Sequence, residues 1–388
     1  MEALQPAPKR VSNPAQRFSR EEIEWLDVAP AVQLQVYEEQ ARSIISSNQS
    51  PDIGFRHSVN PYRGCFHACA YCYARPSHQY LDFGAGTDFE SKLIVKMNAA
   101  ELLRAALSKR SWQREAILFS GNTDCYQPLE LSYQRTQRCL QVCAELHNPV
   151  AIITKGAIIR RDIALLQELH QKAAVQVYLS IAFADDKMAK ALEPGAPRPS
   201  VRFRAMQALA EAGIPVGLAL APMIPGLNEM QMPQILERAK DCGANCAFMT
   251  LLRLPAELQE VFPARLAEAF PERSKKILAQ LKEMRGGLLN SSQFGQRMCG
   301  SGARWDALLW LFRSTCQRLG LENSSEPFQR RVAEQHISRQ GPIQGRIVAG
   351  AGRKSSAPAL KEKLKKGGNR DGSAAKTGTR QLSLFEPS

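Results

Sequence analysis

From about residue 55 the chain alternates between short β-branched or apolar runs and longer stretches with helical periodicity. The runs are "EAILFSG" (115–121), "VAIITKG" (150–156), "VQVYLSIAF" (175–183), "IPVGLALAPMI" (214–224) and "NCAFMTLLRL" (245–254). Between them lie "SYQRTQRCLQVCAEL" (132–146), "RRDIALLQELHQ" (160–171), "VRFRAMQALAEAG" (201–213) and "MPQILERAKDCG" (232–243). Apolar runs of this length, separated by amphipathic helices, predict buried parallel strands joined in βαβ units. With a first strand near 55–63 there are about six units. An open or closed βα barrel fits them better than a three-layer sandwich, although periodicity alone leaves the choice open.

The flanks read differently. Residues 1–50 form a polar extension, helical from about Arg20 to Ser47 ("REEIEWLD", then "VQLQVYEEQARSII"). The barrel is expected over 51–255 and a helical region over 256–340, interrupted by "GLLNSSQFGQRMCGSGARW". Residues 341–388 are rich in Gly, Ser, Ala and Lys and lack any sustained apolar period, so a disordered tail is expected.

At 388 residues, 44% hydrophobic and 23% charged, the composition is that of a soluble globular protein with an ample core. No run approaches the roughly 18 apolar residues of a membrane-spanning helix, and "MEALQPAPKRVSNPAQRF" lacks the apolar stretch of an export signal. The ten cysteines are therefore expected to be reduced, metal-bound or buried in a cytoplasmic protein. The net charge of +14 is uneven. Residues 329–388 hold 13 Lys and Arg against 4 Asp and Glu, which leaves the rest of the chain at +5. A basic arm points to a polyanionic partner such as nucleic acid, or serves only to keep the chain soluble.

The strongest chemical signal is "NPYRGCFHACAYCYARPSH", directly after the expected first strand. Cys65, Cys69 and Cys72 have the spacing C-x3-C-x2-C, and three thiolates within eight residues can wrap one small, soft metal centre. Iron–sulfur clusters normally take four thiolates. Three would leave one iron of a [4Fe–4S] cube open to a small molecule. If that molecule is S-adenosylmethionine, its amino and carboxylate groups can chelate the open iron. One electron can then cleave the adjacent sulfonium bond to give an adenosyl radical, which requires an electron donor such as flavodoxin or ferredoxin. Two other readings stay open: a Cys3His zinc site completed by His57, His67 or His78, and unliganded cysteines.

These residues resemble the radical S-adenosylmethionine superfamily and, within it, the spore photoproduct lyase-like group. The similarity runs through "SPDIGFRHSVNPYRGCFHACAYCYARPSH", "TDFESKLIVKMNAAELLRAAL", "SGNTDCYQPLE", "AIITKG" and "AGIPVGLALAPMIPGLN", about residues 48–285. It implies an α/β fold, a partial (β/α)6 TIM-like barrel with the cluster at its open top. It also implies cofactor contacts from Tyr71 and Tyr73 beside the cysteines, and from Thr123, Lys155 and Ser180 at the ends of the second, third and fourth strands. The alternative for Thr123 and Ser180 is helix capping. Cys125 stands close to where the lyase carries a hydrogen-atom-donating cysteine, but not at the matching place, and a buried structural thiol is the competing role. The run "EPGAPRP" (193–199) departs from the family's pattern, with Arg198 as the substitute for its arginine. The pairs Cys139 and Cys143, and Cys242 and Cys246, fall at core positions, where packing is expected.

The tail ends in Gln381-Leu382-Ser383-Leu384-Phe385, which resembles the pentapeptide that docks bacterial replication and repair proteins on the DNA sliding clamp. Leu384 and Phe385 would fill an apolar pocket while Gln381 fixes the backbone. Burying three apolar side chains yields about 1.5–3 kcal/mol each, and ordering the segment takes back roughly 2–5 kcal/mol. The result is a reversible contact on a tether with a reach of about 35 Å. The expectation is a lyase-like radical enzyme repairing DNA at the clamp. The alternatives are radical modification of RNA, protein or a metabolite, and a non-catalytic metal-containing protein that binds the clamp or nucleic acid.

Overall fold

The computed structural model describes residues 33–323. The chain divides into two units, Met1–Ser338 and Arg339–Ser388, and everything described belongs to the first. The expected tail, with Gln381, Leu382, Leu384 and Phe385, lies outside the described residues, as does the predicted helix before residue 33.

The first elements are β1 (Gln35–Glu39), β2 (Ile45–Ser47), β3 (His57–Val59), β4 (Tyr62–Arg63), α1 (Asp88–Ser91), β5 (Lys92–Lys96) and α2 (Ala99–Leu107). A regular alternation follows: β6 (Ile117–Phe119), α3 (Leu129–Tyr133), α4 (Arg135–Glu145), β7 (Val150–Thr154), α5 (Ile163–Lys172) and β8 (Val175–Ser180). It continues through α6 (Asp186–Leu192), α7 (Pro199–Glu211), β9 (Val216–Met223), α8 (Met232–Asp241) and β10 (Cys246–Leu251). The described chain closes with α9 (Leu258–Ala269), α10 (Ser274–Glu283), α11 (Ala303–Leu319) and β11 (Glu322–Asn323).

Strands β3, β6, β7, β8, β9 and β10 lie side by side in chain order, each parallel to the next. These are the six units expected from the periodicity. The sheet stays open: β2 adds antiparallel at the β3 edge and β11 adds parallel at the β10 edge. Every residue of β8 is buried, as a strand covered on both faces requires. Ile117, Phe119, Val150, Val175, Val177 and Leu218 are wholly excluded from solvent. Helix ends carry recognisable signals. Asp185 caps α6 by accepting the Met188 N–H at 2.7 Å, Pro199 opens α7, and left-handed Gly320 ends α11.

The stretch "VQLQVYEEQARSII" is not helical where described. It forms β1, paired in parallel with β5, and the start of β2, paired antiparallel with β3. Its Gln, Glu and Ala content favours helix, but strand partners more than ten residues away override that preference. Strands β1, β5 and β4 make a separate small sheet beside the loop that leaves β3. Among the described residues no helix is long and apolar enough to cross a membrane.

Candidate functional site

The three predicted cysteines sit on the loop beyond the C-terminal end of β3, on the rim where a βα barrel gathers its functional residues. Cys65 and Cys69 are buried and Cys72 is partly so. The turn requires unusual backbone: Gly64 and Ala68 have φ of 73° and 55°. A side chain on Gly64 would meet the Phe89 carbonyl oxygen at 2.9 Å, so that position admits only glycine.

The loop is held from several sides. Phe89 O accepts the Cys65 N–H at 2.9 Å, Leu192 O accepts the Ala70 N–H at 2.8 Å, and His67 O accepts the Gly195 N–H at 3.0 Å. Buried Gln127 accepts the Phe66 N–H at 3.0 Å and donates to Gly64 O at 3.1 Å. Arg75 donates to Cys69 O at 3.1 Å and to Gly86 O at 2.6 Å. Glu90 receives both Arg75 and Arg265, each at 2.6 Å, and Arg265 reaches on to Ala68 O at 3.0 Å. An ion triad, nearly excluded from water, therefore braces the loop.

A second polar group lies across the strand ends. Asp124 accepts from Thr154 Oγ1 at 2.5 Å and from the Lys155 N–H at 2.7 Å, and its carboxylate lies 3.3 Å from His67 Nδ1. Burial alone would raise the Asp124 carboxyl, but His67 and these donors hold it well below the usual carboxylate range. Glu193 accepts from both the Tyr71 hydroxyl and Arg202. Arg202 also donates to Ser180 O at 2.9 Å. Lys155 Nζ stands 5.6 Å from the centre of the Tyr71 ring and has no ion pair among the described residues. Burial would depress its ammonium, yet Cys69 and Glu193 keep it raised. Burial pushes the Cys69 thiol up to about 12, with Lys155 opposing.

The donor set fits a cluster with an open corner. The zinc alternatives find no support, because each histidine is otherwise engaged: His57 with Ser47 at 2.9 Å and Glu115 at 3.3 Å, His67 with Asp124, and His78 with Lys92 O at 2.8 Å. The deciding observation is the sequence match of residues 59–239 to the radical SAM superfamily. Those residues form the radical SAM region of the chain. Its cofactors are accordingly a [4Fe–4S] cluster and S-adenosylmethionine.

Similar proteins agree on this core. A Mycobacterium tuberculosis (strain ATCC 25618 / H37Rv) protein, named only as uncharacterized, is 40% identical over 192 residues, 49% of this chain and 56% of its own length. The chain thus matches little more than half the length of that relative. A radical SAM Nalpha-GlyT isomerase of Pseudomonas phage M6 is 26% identical over 189 residues, 48% of this chain and 37% of its own. A solved structure of spore photoproduct lyase complexed with dinucleoside spore photoproduct superposes with a TM-score of 0.55. It covers 74% of this chain and 81% of its own at 13% identity, which establishes a shared fold.

The radical SAM site gathers some predicted residues and not others. Tyr71 and Lys155 lie together beside Cys69. Tyr73 is half exposed, with its hydroxyl donating to Gly121 O at 2.7 Å. Thr123 donates to Tyr62 O at 2.8 Å, and Ser180 Oγ lies 3.4 Å from Ala221 O, so neither caps a helix. Cys125 is wholly buried in the main core, its carbonyl accepting from Thr136 at 2.6 Å. Burial pushes its thiol well up. Cys139, Cys143 and Cys246 are also core residues, and Cys242 packs against the core. Arg198, the expected substitute in "EPGAPRP", is exposed; Glu193 pairs instead with Arg202, nine residues further on. Sequence reasoning missed Asp124, Glu193, Arg202 and the Arg75–Glu90–Arg265 triad. The only local signal was an acid within the "SGNTDC" and "EPGAPRP" turns.

Proposed function

We propose that this radical SAM enzyme acts on DNA as a lyase-like repair enzyme recruited to the sliding clamp. Cys65, Cys69 and Cys72 would hold three corners of the cluster. When bound, it supplies the electron that splits S-adenosylmethionine into methionine and a hydrogen-abstracting 5′-deoxyadenosyl fragment. The chain's own residues do the positioning. Arg202 is paired with Glu193, whereas Lys155 has no ion pair among the described residues, so Lys155 is the cation left to meet the carboxylate of the methionine moiety. The Tyr71 ring walls that pocket. Its buried hydroxyl, tied to Glu193, keeps water from competing there. Thr123, Ser180 and Tyr73 complete the rim. A wholly buried Cys125 fits packing better than hydrogen-atom donation.

The observation that carries the DNA assignment is the terminal "QLSLF", at the end of a basic segment. The lyase fold supports it. The test is deuterium transfer into 5′-deoxyadenosine from deuterated damaged DNA, undamaged DNA and tRNA, with cluster-loaded enzyme and dithionite. Label should come from DNA; label from tRNA alone would sink the assignment. Binding to purified clamp should weaken by at least about 100-fold in Leu384→Ala/Phe385→Ala, since burying each anchor contributes about 1.5–3 kcal/mol. Equal binding by the variant and the natural chain would remove the clamp from the account. A second reading keeps DNA and replaces cleavage by rearrangement, as the name of the phage isomerase describes for that protein. Analysis of the DNA product separates the two.

A further inference from the structure

The end of the sixth parallel strand carries arginines that the radical chemistry leaves unused. Arg253 follows β10 by two residues, on the strand-end rim that also carries Tyr73, next to the last cysteine of the loop. Arg285 comes to the same place, donating to Leu252 O at 3.0 and 2.7 Å. Arg297 joins them and takes the nearby acid: its Nε is 2.7 Å from Asp52, which also accepts the Gly295 N–H at 2.6 Å.

That leaves one buried nitrogen on each of two guanidinium groups without an acceptor. Arg253 Nε and Arg285 Nη1 are buried and have no hydrogen-bond partner among the described residues, and Arg253 Nη1 meets only the Met298 sulfur, at 3.5 Å. Burial, then the neighbouring Arg253, lowers Arg285 to about 10. Buried donors are almost always satisfied, and like charges this close repel. An anion with several oxygens resolves both problems. The surroundings indicate which anion. The Tyr73 and Phe294 rings are 51% and 60% exposed, and the Arg297 guanidinium lies 4.9 Å from the Phe294 ring centre. Exposed rings interleaved with arginines suit stacked bases along a phosphate backbone; a small carboxylate has no use for them.

We propose that Arg253, backed by Arg285, binds one phosphodiester of a nucleic-acid substrate at the barrel mouth, fixing which nucleotide reaches Tyr73 and the cysteine loop. This rests on the nucleic-acid reading above. Phosphodiesters occur in DNA and RNA alike, so both enter the test. Fluorescein-labelled short single-stranded DNA, and RNA of the same sequence, are titrated with cluster-loaded full chain, and anisotropy is followed between about 50 and 200 mM salt. Arg253→Gln should bind DNA about tenfold more weakly or worse. Its slope of log affinity against log salt should fall by about 0.7, the loss of one single-strand phosphate contact. Substrate-free cleavage of S-adenosylmethionine should be unchanged. Arg253→Lys should keep the salt slope and lose affinity, because it keeps the charge and loses the fork. Unchanged affinity and slope in Arg253→Gln, beside a natural chain that binds, overturns this site and leaves the nucleic-acid reading standing. No binding of either oligonucleotide by the natural chain overturns both. The same loss seen with RNA alone upholds the phosphodiester site and moves the substrate from DNA to RNA. Should Arg253→Gln fail to load its cluster, Arg253→Lys decides, and undiminished affinity in it overturns the site.

Discussion

Cys69→Ala should lose reductive cleavage of S-adenosylmethionine by more than about 100-fold, since even partners behind a metal ligand cost 10–100-fold when removed. Cys69 is the middle thiol of three. It is buried, and the Arg75 guanidinium holds its carbonyl at 3.1 Å. Its loss leaves two thiolates, and the candidate replacements His57, His67 and His78 already have partners. Iron content and the visible absorption of the reconstituted protein should fall together with 5′-deoxyadenosine formation. A variant that keeps both its iron and its cleavage would show that the loop is not the cluster site.

Glu90→Ala should destabilise the folded chain by about 3–5 kcal/mol, the cost of leaving buried charge uncompensated. Glu90 is 1% exposed and is the shared partner of Arg75, which is fully buried, and of Arg265, which is 9% exposed. Removing the carboxylate strands two guanidinium groups at once, against the underside of the cysteine loop. Urea unfolding measures the effect. The control is Glu145→Ala, whose pair with Arg104 at 2.5 Å is about half exposed on both sides and is worth at most about 1 kcal/mol. A Glu90→Ala midpoint no lower than that of Glu145→Ala would refute the brace.

The six βα units were legible because each strand and helix carries its own period, and local pattern is what a sequence displays. The cysteine spacing was legible for the same reason, with three cysteines inside eight residues of one loop. β1 was not. Its five residues are mostly exposed, Gln35, Glu38 and Glu39 among them favour helix, and pairing with Lys92–Lys96 makes them a strand. The polar frame of the site was equally hidden. Glu193 and Arg202 are ordinary charged residues in "EPGAPRP" and "VRFRAM" until the fold buries them together, and Glu90 reads as a surface acid. Arg253 looked like the end of an apolar run; its meaning comes from Arg285 and Arg297, more than thirty residues away.

The reach of Arg265 also orders events in time. Ala68 and Arg265 are separated by 197 residues, so at about 5–20 residues per second the cysteine loop leaves the ribosome roughly 10–40 s before its last brace is made. During that interval Glu90 has Arg75 alone, and the three thiols sit on a loop still free to open. A loop braced on all these sides is therefore complete only once α9 has been synthesised.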